Sequence, residues 1–204
     1  RDDAEALAAE LNAAGAQAIA LQADVADPQA VYQLFNAIEA RFGGIDVVVN
    51  SAGVLQLAPL ADTDDALFER VIGINLKGAF NVLRESTRRV RDGGRLITLS
   101  TSVVGIKLEN YSVYAASKAA VETMGAILSK ELRGRNITVN AVAPGPTATD
   151  LFLDGKSPEL IERLAKMNPL ERLGTPEDIA GAVAFLASAD GGWINGQVLR
   201  ANGG

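Results

Sequence analysis

Three short aliphatic runs constrain this chain more than any other feature: Ile45-Asp46-Val47-Val48-Val49-Asn50, Arg95-Leu96-Ile97-Thr98-Leu99-Ser100 and Ile137-Thr138-Val139-Asn140-Ala141-Val142. The first is apolar almost throughout, the pattern of a strand covered on both faces, as strands of a parallel sheet are. Around the runs lie stretches of helical periodicity, with Val31, Leu34, Phe35 and Ile38 in one and Leu67, Val71, Ile74, Phe80, Val82 and Leu83 in another that spans residues 64–90. Asp27-Pro28, Ser157-Pro158 and Thr175-Pro176 each set a capping side chain ahead of a proline, the order expected at a helix start. Residues 17–22, with Ile19 and Leu21, are expected as a further short strand. Strands alternating with helices along the whole length predict an α/β fold, a doubly wound and mostly parallel sheet flanked by helices. At 204 residues the chain suits one domain with a sizeable core.

Open sheets of this kind take their ligands beyond the carboxyl ends of the strands. Small or hydroxyl-bearing residues follow each run here. Ser51-Ala52-Gly53 leaves backbone open for a ligand to touch, or forms a plain tight turn. Ser100, Thr101 and Ser102 end the second run, and Ala143-Pro144-Gly145 closes the third. Asn75 and Gly78 interrupt the helical stretch 64–90, where an asparagine is costly and either faces solvent or has a task. Downstream, Tyr114 and Lys118 are four residues apart on an expected helix, so their side chains come round to one face. A free phenol titrates near pH ~10, and an adjacent ammonium lowers that value. A hydroxyl beside them, from Ser102 or alternatively Thr101, holds a carbonyl or alcohol oxygen within reach of the phenol. Taken alone, Tyr-x-x-x-Lys also arises as an ordinary surface pair.

Composition narrows the chemistry. With no histidine, the Ser-His and Cys-His machines and every histidine-ligated zinc centre are removed, leaving Tyr, Lys, Asp and Glu for proton transfer. With no cysteine there is no disulfide framework, thiol nucleophile or thiolate metal site, which suits a reducing cytoplasm. A formal net charge of -6 disfavours nucleic acid, and the basic group Arg84, Arg88, Arg89, Arg91 and Arg95 reads as a solvated helix end. No apolar run is long enough to span a bilayer and no leader pattern opens the sequence, so a soluble, cytoplasmic protein without a membrane partner is expected.

Tyr114-Ala115-Ala116-Ser117-Lys118, followed by Ala119-Ala120-Val121-Glu122 and preceded by Ser102-Val103-Val104-Gly105, resembles the short-chain dehydrogenase/reductase family, in particular its 3-oxoacyl-[acyl-carrier-protein] reductases. Asn50-Ser51-Ala52-Gly53 is similar to the family's Asn-Asn-Ala-Gly, with Ser51 as the departure. Asn75-Leu76-Lys77-Gly78, Pro176-Glu177-Asp178-Ile179-Ala180 and Asn195-Gly196-Gln197-Val198-Leu199 follow in the family's order, so the resemblance runs through the whole chain. It implies a Rossmann-like domain and hydride transfer between a nicotinamide, of NADP or NAD, and a carbonyl or secondary alcohol. By the same resemblance Tyr114 is the proton donor and acceptor, Ser102 orients the oxygen, Lys118 grips the nicotinamide ribose, and Asn75 sustains a proton relay. Asp24 and Val25 match the adenine contact, with a helix-leading turn acid as the plain alternative for Asp24; Asn50, Ala52 and Gly53 line the cofactor; Pro144, Gly145, Thr147 and Thr149 surround the carboxamide, or form a turn with surface threonines. Residues 146–173 match the substrate lid, and a homodimer or homotetramer is implied.

The family's opening strand, Gly-rich turn and helix have no counterpart in the sequence, and a unit of roughly 30 residues or more is expected to be missing ahead of Arg1. That unit carries the position that selects NAD or NADP; NADP is favoured because Arg1 falls soon after it. Leu151, Phe152 and Leu153 either favour an apolar carbonyl over the sugar or polyol substrates of other family members or pack against the neighbouring helix. A non-catalytic dinucleotide sensor on the same scaffold is the remaining alternative.

Overall fold

The three aliphatic runs become neighbouring strands of one parallel sheet, β1 (Ile45–Asn50), β2 (Val90–Leu99) and β3 (Thr138–Pro144), joined by β4 (Val198–Ala201) in the order β1-β2-β3-β4. The structure is a computed structural model that describes residues 2–204; Arg1, on which the preference for NADP leaned, lies outside the described residues. β2 begins earlier than its aliphatic run because Val90 already pairs with Ile45, and the register then slips between Ile45 and Val47. Gly93-Gly94 sits inside that irregularity. A Cβ on Gly94 would come within 2.3 Å of the Val90 side chain and 2.7 Å of the Asp46 carbonyl, so the slip needs a residue without one.

The expected doubly wound arrangement is present. Helices α1 (Asp2–Ala13), α2 (Pro28–Phe42), α3 (Asp65–Val71), α4 (Ala79–Arg89) and α5 (Val103–Ile106) precede α6 (Ser112–Glu131), α7 (Asp150–Leu153), α8 (Pro158–Ala165) and α9 (Pro176–Ala187). The cap-then-proline starts behave as read: Asp27 accepts from Gln29 N–H, Ser157 from Leu160 N–H, and Thr175 forms a capping box with Asp178. Alternate residues of each strand face opposite ways. Leu96 and Val139 meet Val31 and Phe35 of α2, Leu83 of α4 and Leu128 of α6 on one face. Ile97 and Val142 meet Leu186 of α9 on the other. Among the described residues no helix is long and apolar enough to cross a membrane.

Three expectations need correction. Residues 17–22 form no ladder among the described residues, and Ile19 and Leu21 stay exposed; a strand is defined by a neighbour's hydrogen bonds, and none runs alongside among the described residues. The helical stretch 64–90 is continuous, but α3 passes into α4 through a π-helical stretch, Ile72–Gly78, the wider turn that inserts a residue and re-aims side chains. The arginine group is not simply solvated. Arg89 lies 2.7 Å from Glu39 and 3.0 Å from Glu85 and stacks over the Tyr32 ring at 4.7 Å, fastening α4 to α2.

Candidate active site

β1, β2 and β3 all end at the same edge of the sheet, and the turns that follow them surround a cavity of about 590 Å³. Ser51 and Gly53 come from the first turn, Thr101 and Ser102 from the second, Pro144, Gly145, Thr147 and Thr149 from the third. Tyr114 and Lys118 of α6 complete the wall. The helix that presents them crosses behind β3, and Val121 and Leu128 on its inner face are buried, which sets its rotation. Tyr114 and Lys118 therefore face the cleft together, with the Lys118 amine 5.9 Å from the centre of the Tyr114 ring.

Electrostatics departs from the sequence expectation. Burial pushes the Tyr114 phenol above its usual range, hydrogen bonding with Thr101 pulls it part of the way back, and the neighbouring Tyr111 raises it. Lys118 is absent from those causes. Its ammonium turns to the Leu99 carbonyl at 2.8 Å instead, and burial alone lowers its pKa to about 8. The ammonium is thus held by the end of β2 rather than by the phenol, and desolvation governs both groups.

Two hydroxyls compete for the orienting role. Ser102 is buried, donates its backbone N–H to Pro144 O at 2.9 Å and lines the cavity, as expected. Thr101, its alternative, lines the same cavity and is the hydroxyl that lowers the phenol's pKa. Motif spacing could not separate adjacent residues that both reach the cleft.

Asn75 does not face solvent. It is 1% exposed, its Oδ1 accepts from Val54 N–H at 2.8 Å, and its Nδ2 donates to Val54 O at 3.0 Å and Ser117 Oγ at 3.3 Å. The π-helical turn aims it inward, where it ties the loop after β1 to α6. Gly53 makes that approach possible, because a Cβ there would stand 3.2 Å from Lys118 Nζ and 3.3 Å from Asn75 Oδ1. Asn75→Ala is expected to leave Val54 N–H and C=O unsatisfied and to destabilise the fold by about 2–3 kcal/mol, read as a lower urea midpoint at unchanged slope. A midpoint equal to that of the unsubstituted protein would count against this tie.

Sequence reading assigned no task to Ser117 or Glu122, although both lie in the quoted motif. Ser117 is fully buried and donates to Tyr114 O at 2.7 Å, passing the Asn75 contact on to the turn that carries the phenol. Glu122 accepts from Ser100 Oγ at 2.5 Å. Tyr114, Lys118 and Glu122 form one stripe at four-residue spacing, and the last two clasp successive residues at the end of β2. Continuing the spacing one turn beyond Lys118 was the signal that could have found Glu122.

The expected cofactor contacts divide into two groups. Gly53, Pro144, Gly145, Thr147 and Thr149 share the cavity with Tyr114 and Lys118. Thr147 Oγ1 donates to Gly145 O at 2.9 Å and Thr149 Oγ1 to Thr147 O at 3.4 Å, which leaves hydroxyl lone pairs to receive an amide N–H. Those acceptors fit the N–H groups of a nicotinamide carboxamide. Asp24, Val25, Asn50 and Ala52 lie outside the cavity lining. Asp24 accepts from Ala26 N–H at 2.8 Å, the behaviour of a turn acid leading into a helix. Val25 O accepts from Asn81 at 2.9 Å, and the Val25 side chain packs so closely that a Cβ on Gly78 would meet it at 2.6 Å. Asn50 is buried at the end of β1.

Comparison with known proteins agrees in extent. The family model described as enoyl-(acyl carrier protein) reductase matches residues 1–204. A Picea abies protein named short-chain type dehydrogenase/reductase is 51% identical over 194 residues, covering 93% of this chain and 72% of that protein. NADPH-dependent aldehyde reductase 2, chloroplastic, of Arabidopsis thaliana is 45% identical, covering 96% of this chain and 74% of that protein. Among solved structures, a putative dehydrogenase from Burkholderia cenocepacia with bound NADP superposes with a TM-score of 0.96 at 35% identity, covering 100% of this chain and 78% of that one.

Proposed function

Because this chain belongs to the short-chain dehydrogenase/reductase family of oxidoreductases, we propose that it reduces a carbonyl to an alcohol with NADPH. The observation that supports this reading most directly is the convergence of Tyr114, Lys118, Ser102 and Thr101 on one cavity with Thr147 and Thr149. NADPH is preferred to NADH on the names of the Arabidopsis and Burkholderia relatives. When bound, the nicotinamide supplies the hydride.

Every proton event belongs to the protein. Tyr114 donates to the carbonyl oxygen as it gains charge, the general-acid role for which a protonated phenol is needed. Ser102 and Thr101 hold that oxygen and aim it at the phenol. Lys118 steadies the ribose and, through its charge, the phenolate left behind. Asn75 and Gly53 keep the loop after β1 clear of the amine, and Asn75 supports the path by which the phenol is reprotonated. Burial keeps Tyr114 in the protonated form, the form that carbonyl reduction requires of it.

A 3-oxoacyl thioester is one substrate of this class. The test is NADPH oxidation by the full chain on aliphatic aldehydes, ketones, a 3-oxoacyl thioester and a ketose, repeated with NADH. Faster turnover with NADPH on the apolar carbonyls is the expected result; turnover on the ketose alone rejects the substrate class, and none at all rejects the enzyme. A homo-oligomer is part of the same reading, with Trp193 98% exposed near β4 and Phe68, Phe80 and Ile127 open on the helices; a monomer mass by light scattering sinks it. A reducing compartment such as the cytoplasm suits the cysteine-free composition.

A further inference from the structure

The reaction cavity does not end at the phenol. A larger outer groove of about 1440 Å³ opens beside it, bounded by the loop after β1, the segment 107–111 ahead of α6, and helices α7 and α8. Leu55, Leu108, Tyr111, Leu151, Leu164 and Met167 line both spaces, so one is continuous with the other. Leu151 and Met167 are 54% and 58% exposed, an apolar wall without cover from the rest of the described chain. Lys107, Lys156 and Arg163 on the rim are matched in number by Glu109, Asp150 and Asp154. The groove therefore offers no net charge to an ionic tail, and the run of Leu55, Leu57, Leu108, Leu153, Leu160 and Leu164 between its charged residues gives an aliphatic tail an apolar track to follow.

The inner space of about 590 Å³ is where the nicotinamide, its ribose and the reacting carbonyl would sit, and it opens directly into the groove. We propose that the outer groove is a tail subsite, and that the substrate is an uncharged aliphatic carbonyl compound longer than the inner cavity, with its carbonyl at Tyr114 and its chain along Leu57, Leu153 and Leu160. This inference rests on the carbonyl-reductase reading. The continuity of the groove with the reaction cavity argues for a substrate tail there rather than for a second protein.

The test is kcat/KM of the full chain with NADPH for butanal, hexanal, octanal and decanal. A rise of about two- to fourfold per added methylene is expected, since burying one CH2 against apolar side chains is worth about 0.8 kcal/mol. Leu57→Asp, in an exposed loop, is expected to flatten that rise by charging the groove, and Leu160→Ser to do so by removing part of its wall. Calorimetry without cofactor provides a second measurement, with decanol binding more tightly than butanol and the difference shrinking in Leu57→Asp. If butanal is reduced but kcat/KM is flat or falls with length, the tail subsite is overturned while the reductase reading survives. A chain-length rise unchanged in both variants overturns the placement of the tail. Failure to oxidise NADPH with any of the four overturns both.

Discussion

Tyr114→Phe is expected to lower kcat by about 10²–10⁴-fold, the range by which a positioned proton donor accelerates transfer, with little change in KM for NADPH. The phenol oxygen is the only atom group removed, and the ring keeps its packing against Tyr111 at 6.2 Å between centroids. The hydroxyl that is removed lines an open cavity, so the melting temperature should move only slightly. The unsubstituted enzyme carries a related signature. Because burial raises the Tyr114 pKa, the acid form persists through neutrality, and reduction should hold level there and decline only as the Lys118 amine loses its charge around pH 8. Alcohol oxidation needs the phenolate and should climb with pH above neutrality. A Tyr114→Phe enzyme that keeps its kcat would remove the phenol from the mechanism.

Lys118→Met is expected to abolish turnover to a similar degree and to change how stability depends on pH. Below pH 8 the amine is protonated in both folded and unfolded chains, and the folded state bears the full cost of burying the charge. Between about 8 and the unfolded value of 10.5 the folded amine is neutral while the unfolded one is still charged. The unfolded chain then binds the extra proton, so folding stability attributable to Lys118 rises with pH across that window. The separation corresponds to about 3–4 kcal/mol at most, at roughly 1.4 kcal/mol per pKa unit. Urea midpoints taken at intervals from pH 7 to 9.5 should climb in the unsubstituted protein relative to Lys118→Met. The comparison between the two proteins cancels the tyrosines, whose raised pKa values act in the opposite sense above pH 10. Parallel midpoint curves would show that the amine is hydrated, not buried, in solution.

The two substitutions separate chemistry from architecture. Tyr114 contributes a proton and little stability; Lys118 contributes charge at the reaction centre and burdens the fold that holds it. A site of this kind is stable only because neighbours over-determine it, here Leu99 O on the amine, Glu122 on Ser100, and Asn75 on both the loop after β1 and α6.

Local pattern alone determined the alternation of helix and strand, the parallel sheet, the three cap-then-proline helix starts, and the presence of Tyr114 and Lys118 on one helical face. Each follows from short-range periodicity or from a side chain bonding its own neighbours, and such interactions are written in consecutive residues. Tertiary structure decided the rest. It left residues 17–22 without a ladder, turned Asn75 inward through a π-helical stretch, and brought Thr101 to the phenol beside Ser102. It also reversed the expected tuning of the acid, because a pKa depends on the water excluded from around a group and on which way a flexible ammonium turns. Desolvation and the direction of Lys118 toward Leu99 are properties of packed neighbours distant in sequence, and no spacing along the chain encodes them.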